Sequence, residues 1–148
     1  MKIVSGCLVG INCKYNGKNN KNNKIFEIYK KGQLIPVCPE QLGGLSTPRE
    51  PAETTGDGLD VLKGKAKVLT ISGKDVTSNF IRGAKEVLKI AKDLNIKEAI
   101  LKSKSPSCGY KKIYDGTFSK KLINGNGVLA ALLEQNKIKI YTEKEFEK

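Results

Sequence analysis

Three of the four cysteines in this chain sit where short apolar runs end. Cys7 closes Lys-Ile-Val-Ser-Gly, Cys38 closes Leu-Ile-Pro-Val, and Cys108 lies in the loop Ser-Pro-Ser-Cys-Gly at 105–109. The fourth, Cys13, follows Cys7 in a loop rich in glycine and asparagine. There is no Cys-x-x-Cys pair, so the spacing fits neither a zinc ribbon nor a thioredoxin-type redox pair. Histidine is absent. That removes Ser-His and Cys-His nucleophile pairs, imidazole bases and His-containing zinc sites. Acid–base work is left to carboxylates, Lys, Tyr, Cys and water. Three thiolates converging without imidazole suit a soft metal centre. The residues leave three readings open: a zinc site with Cys13 as fourth ligand, a three-cysteine iron–sulfur cluster with one open iron, or inert buried thiols.

The stretch 35–49, Ile-Pro-Val-Cys-Pro-Glu-Gln-Leu-Gly-Gly-Leu-Ser-Thr-Pro-Arg, puts a thiol and a carboxylate two residues apart at the end of a strand. By residue type alone, Glu40 reads as a cap as readily as a base, and Ser105 as a turn former before Pro106. Arg49 either binds an anionic group such as phosphate or pairs with Glu50 or Glu53, and the structural pairing is favoured. Asn126 and Gly127 open a helix whose amides suit an anion or a polar ring edge, although capping explains them equally well. Lys14, Tyr15 and Asn16 follow the first cysteine and are further candidates for a pocket wall.

Elements must bring these groups together. Apolar residues recur at three and four residue intervals over 78–94 (Phe80, Ile81, Ala84, Val87, Leu88, Ala91, Leu94), which predicts an amphipathic helix capped by Asp75, Thr77 or Ser78. Shorter helices are expected at 23–31 and 128–133, with a tail helix at the end. Strands are expected at 2–7, 33–38, 60–62, 67–71, 98–102 and 138–141, with 60–71 forming a hairpin about Lys63-Gly64. Pro36 keeps the second strand out of a central ladder. Residues 8–23 and 52–58 read as loops, and Asp115-Gly116 as a turn. The order predicts one α/β domain over 1–148: a sandwich with a largely parallel, Rossmann-like sheet and a small hairpin excursion. In such sheets ligands bind beyond the strand carboxyl ends, where Cys7, Cys38 and the Cys108 loop would meet.

Composition is that of a soluble globular protein, with 39% hydrophobic and 28% charged residues in 148. No apolar run reaches the roughly 18 residues of a membrane span, and the N-terminus enters strand-like sequence with no signal-peptide pattern. A cytoplasmic, reducing location is therefore expected. The net charge of +12 points superficially to a polyanion, but the basic residues are nearly all lysine, with Arg49 and Arg82 the only arginines. Five tyrosines, four phenylalanines and no tryptophan offer no aromatic platform for RNA. An RNA-binding protein with a structural metal is the second reading, and a zinc-stabilised, non-catalytic domain the third.

Three motifs carry a resemblance: Ser-Gly-Cys-Leu-Val-Gly-Ile-Asn-Cys-Lys-Tyr-Asn-Gly at 5–17, the central motif through Arg49, and Lys-Ser-Pro-Ser-Cys-Gly at 104–109. In this order, across nearly the whole chain, they resemble the thiouracil desulfidase family. Gly6 stands where that family more often has Ala, and Ser46 where it has Pro. The resemblance implies that Cys7, Cys38 and Cys108 ligate a [4Fe–4S] cluster. It also implies that Glu40 and Ser105 are catalytic and that a small thiolated base or nucleotide is desulfurated without redox change. Cys13, whose position is not always cysteine in the family, is then not a ligand. On chemical grounds Glu40 suits a general base for water, whereas Ser105 has no base to make it a nucleophile.

Overall fold

The computed structural model describes residues 1–147. In chain order its elements are β1 (Lys2–Ser5), a 3-10 turn (Gly6–Val9), α1 (Asn23–Lys30), β2 (Leu34–Val37) and α2 (Pro39–Leu42). There follow β3 (Ala52–Thr54), α3 (Gly58–Leu62), β4 (Val68–Thr70), α4 (Thr77–Asp93) and β5 (Glu98–Leu101). The chain continues through β6 (Lys112–Tyr114), β7 (Leu122–Asn124), α5 (Val128–Gln135), β8 (Lys139–Thr142) and a 3-10 turn (Glu143–Phe146).

Four strands form one parallel sheet in the order β2-β1-β5-β8. The period of two along each strand splits its apolar residues between two cores. Ile3, Ala99 and Leu101 face α4 and α5, where Phe80, Ala84, Val87, Leu129 and Leu133 pack. Val4 and Ile100 face α1 through Ile25, Leu8 and Leu34. This is the expected α/β sandwich of Rossmann-like type. The chain runs outward from β1 to β2, then crosses back to β5 on the other side of β1. That reversal opens a crevice at the carboxyl ends of β1 and β5. β2 lies at the sheet edge and pairs with β1 alone, Val4 facing Pro36, so the missing proline amide interrupts no central ladder.

The excursion differs from the sequence expectation. Residues 60–62 are helical because Asp57 and Asp60 form a reciprocal capping box around the first turn of α3. Residues 52–54, expected as loop, form β3 and pair antiparallel with β4, Glu53 facing Leu69. A second antiparallel pair, β6 with β7, flanks the Asp115-Gly116 turn and was too short and polar to stand out. β1 stops at Ser5, and the chain winds at once into the turn carrying Cys7. At the start of α4 the cap position is Val76, while Asp75 Oδ1 accepts from both the amide and hydroxyl of Thr77.

α2 is only four residues long and is held from outside. A Cβ at Gly83 of α4 would overlap the Pro39 carbonyl, and one at Gly43 would overlap the Asn79 carbonyl, so the two helices meet backbone to backbone. Asn79 Nδ2 donates to the Gly43 carbonyl at 2.9 Å. We expect Gly83→Ala to destabilise the fold by about 2 kcal/mol through overpacking, lowering Tm by roughly 6 °C. An unchanged melting curve would show that α2 is not seated this way.

Candidate active site

A cavity of about 560 Å³ opens at the carboxyl ends of β1, β2 and β5. Each cysteine reaches it from a different element. Cys7 lies in the turn after β1, Cys38 is the N-cap of α2, and Cys108 sits in the loop after β5. Cys13 lines the cavity too. The Cys108 loop is folded on itself, Ser105 Oγ accepting from the Cys108 amide at 2.7 Å and the Ser105 carbonyl from the Gly109 amide at 2.9 Å.

The first amides of α5 anchor this loop from behind. Gly127 N donates to the Gly109 carbonyl at 2.7 Å, Val128 N to Pro106 at 2.9 Å and Leu129 N to Ser107 at 2.9 Å. A Cβ at Gly127 would press into the Ser107 carbonyl. Neither Asn126 nor Gly127 lines this cavity, and the helix N-terminus is filled by the protein's own carbonyls. Asn126 instead accepts from the Lys111 amide at 2.8 Å and lines a separate, smaller cavity beside Asp57.

All four thiols are free. Burial pushes the Cys7 thiol up, and pushes Cys108 up to about 12. Cys13 and Cys38 act as a pair. Cys38 Sγ donates to the Cys13 carbonyl at 3.7 Å. Once Cys38 ionises, its thiolate accepts from the Cys13 thiol, which is itself pushed up by that contact first and then by burial. Cys38 is lowered to about 7, by that bond first and by the Gln41 amide of α2 as well. Among the described residues no three His, Cys, Asp or Glu side chains stand close enough to share one metal ion. A zinc tetrahedron, with sulfurs about 2.3 Å from the metal, therefore does not fit. Thiols spread around a cavity suit a larger polynuclear group.

Glu40 faces the same cavity with both oxygens engaged. Oε1 accepts from Arg49 Nε at 3.0 Å, and Oε2 accepts from the Ser107 hydroxyl at 2.8 Å. Arg49 pairs with neither Glu50 nor Glu53. Its remaining donors reach the Cys13 carbonyl at 2.9 Å and Thr47 Oγ1 at 2.8 Å, which leaves no free fork for a phosphate. It lines the cavity as a structural partner of Glu40. Ser105, expected as the working hydroxyl, lies 3.4 Å from Ser107, and it is Ser107 that touches the carboxylate. The sequence signal for Ser107 was its place beside Cys108 in Ser-Pro-Ser-Cys.

Two further residues escaped the sequence reading. Lys102 lines the cavity beside Cys7 and is held by Glu143, whose Oε2 accepts its ammonium at 3.3 Å. Glu143 is only 6% exposed and also accepts from the Ser103 amide at 2.7 Å and hydroxyl at 2.6 Å. Those bonds hold its carboxyl below the usual range against the opposing effect of burial, which is the largest single influence. Lys14 and Tyr15 line the cavity as expected, whereas Asn16 turns to the Lys18 amide.

The 2-thiouracil desulfurase family model matches residues 3–145. The Bacillus subtilis (strain 168) protein YbbK, described as uncharacterized, is 50% identical over 146 residues, which is 98% of this chain and 97% of that protein. A solved structure, the [4Fe–4S]-dependent thiouracil desulfidase TudS, superposes with a TM-score of 0.87 at 38% identity. It covers 97% of this chain and 91% of its own.

In metal-free protein kept reduced, iodoacetamide should modify Cys38 first. Its rate should rise through pH about 7, because the lowered thiol is already thiolate there, while Cys108 stays slow until strongly alkaline pH. Cys13→Ala should move the Cys38 profile to higher pH. Peptide mapping that finds Cys108 labelled first would contradict this pairing.

Proposed function

The chain belongs to the 2-thiouracil desulfurase family, and we propose that it is a [4Fe–4S]-dependent desulfidase acting on a small thiolated pyrimidine base or nucleotide. The overall change is non-redox: thiocarbonyl and water give carbonyl and hydrogen sulfide. The observation that carries this reading is that thiols from three strand ends meet the Glu40–Ser107 pair in one cavity.

In this reading Cys7, Cys38 and Cys108 hold the cluster. The donor set suits it: soft thiols, no competing imidazole, and a spread too wide for a single ion. Burial raises Cys7 and Cys108, and a bound cationic centre is what would keep them deprotonated. Cys13 steadies Cys38 and Arg49 and is not a ligand. A bound cluster supplies a Lewis-acidic iron with no protein ligand, apt for a substrate sulfur.

The chain's own residues then manage the proton. Arg49 keeps the Glu40 carboxylate oriented, and Glu40 Oε2 receives the proton of the attacking water, directly or across the Ser107 hydroxyl. Ser105 Oγ accepts from the Cys108 amide, and because Ser107 donates to Glu40, the Ser105 proton goes either to Ser107 Oγ at 3.4 Å or toward the substrate. Lys102, fixed by Glu143, sets a positive charge on the Cys7 side.

Anaerobic determination of iron, sulfide and zinc, followed by 2-thiouracil turnover, tests the reading. Four irons and four sulfides per chain with sulfide release support it; one zinc and no iron would sink it. Cys38→Ser should lose the cluster and Cys13→Ser keep it. Glu40→Gln should keep the cluster absorption but lose turnover by roughly a hundredfold or more. An active Glu40→Gln removes the carboxylate from the mechanism.

A further inference from the structure

The β6–β7 hairpin contributes to the wall of the cavity that the cysteines line. Tyr114 and Phe118 of that hairpin line the cavity, are half-buried, and belong to neither apolar core. A phenylalanine that packs in no core yet is shielded from solvent has apolar surface available for a ligand. Its backbone is held in an uncommon state. Phe118 has φ +56°, the left-handed region that costs a non-glycine residue free energy and persists only when its surroundings enforce it.

What enforces it is Glu53 of β3. Its Oε1 accepts from the Gly116 amide at 3.0 Å and from the Phe118 amide at 3.1 Å. The two residues are 65 positions apart, so this carboxylate ties the loop tip to a different part of the fold. Gly116, at φ +96°, lies so close to the Thr54 carbonyl that a Cβ there would overlap it. The loop is clamped rather than draped.

We propose that Phe118, with Tyr114 of the same hairpin, is the stacking wall that receives a planar heteroaromatic ring, and that Glu53 is the residue that positions it. This rests on the desulfidase reading and adds a specificity determinant: the ring face of the substrate is recognised, in addition to its sulfur. Flat heteroaromatic thioamides such as 2-thiouracil are then favoured over a non-aromatic thioamide such as thioacetamide.

The test uses cluster-loaded protein, prepared anaerobically. Phe118→Leu should raise KM for 2-thiouracil and weaken competitive inhibition by uracil, each roughly tenfold, the scale of one base–aromatic stack. Its kcat, iron content and Tm should stay at parent values, and Phe118→Tyr should behave as the parent. Glu53→Ala should reproduce the KM effect with Phe118 in place, and Glu53→Gln, which retains an acceptor oxygen, should largely restore it. Thioacetamide turnover should be indifferent to all four changes. Unchanged KM and uracil inhibition in Phe118→Leu overturn the proposal, as does a KM change that comes with lost iron or early melting, since the ring would then be structural. A parent protein that carries no iron fails the desulfidase reading itself, and is seen before any variant is compared.

Discussion

The hydrogen bond from Ser107 to Glu40 joins two segments 67 positions apart across the carboxyl end of β1. Two of the cysteine segments are registered to it. Glu40 follows Cys38 by two residues and rides on α2, while Ser107 precedes Cys108 in the loop after β5. One bond therefore fixes the spacing between two of the three strand-end thiols. Arg49, at the other carboxylate oxygen, ties in the Cys13 carbonyl and so the first cysteine loop. Both partners of this ion pair are largely buried, with side chains 9% and 15% exposed. Removing one of two such charges leaves the other uncompensated, a cost of about 3–5 kcal/mol. The pair is thus a structural commitment.

The parallel sheet makes that commitment achievable. With β1 between β2 and β5 and all three strands running the same way, their carboxyl ends lie level, and three short loops deliver three thiols without any long excursion. The two faces are covered by α1 on one side and by α4 and α5 on the other, which leaves only the strand ends open. α5 is recruited further: its free amides hold the carbonyls of 106, 107 and 109. A helix terminus that would otherwise attract an anion instead rigidifies the Cys108 loop.

The parts legible in the sequence were those written in local pattern. α4 announced itself by period, the central strands by apolar runs, and the cysteines by their place after those runs. Pro36 correctly marked an edge. What stayed hidden was set by contacts between distant residues. Nothing near Arg49 says that it will choose Glu40 over Glu50 or Glu53, and nothing near Ser107 distinguishes it from Ser105. Glu143 looks like an ordinary member of a capped 3-10 turn, yet its carboxylate reaches back to Ser103 and Lys102. α3 was misread because two aspartates three residues apart decide a first turn more strongly than a short apolar run decides a strand.

Strain follows the same geography. Among the described residues six non-glycine residues have positive φ, and four of them, Lys104, Lys111, Phe118 and Lys120, fall between 104 and 120. The other two, Asn95 and Lys137, each lie one residue beyond a helix C-cap, where a left-handed residue ends a helix at low cost. The 104–120 set lacks that excuse as a group, and three of its members, Lys104, Phe118 and Lys120, line the cavity. Left-handed backbone at lysine and phenylalanine is unfavourable on its own, so the surrounding bonds must over-determine it. Glu53 does this at Phe118, and the bridge between Lys104 and Ile113 does it at Lys104. Conformational energy is accordingly spent on the wall of the cavity, and the stable sheet beneath supplies it.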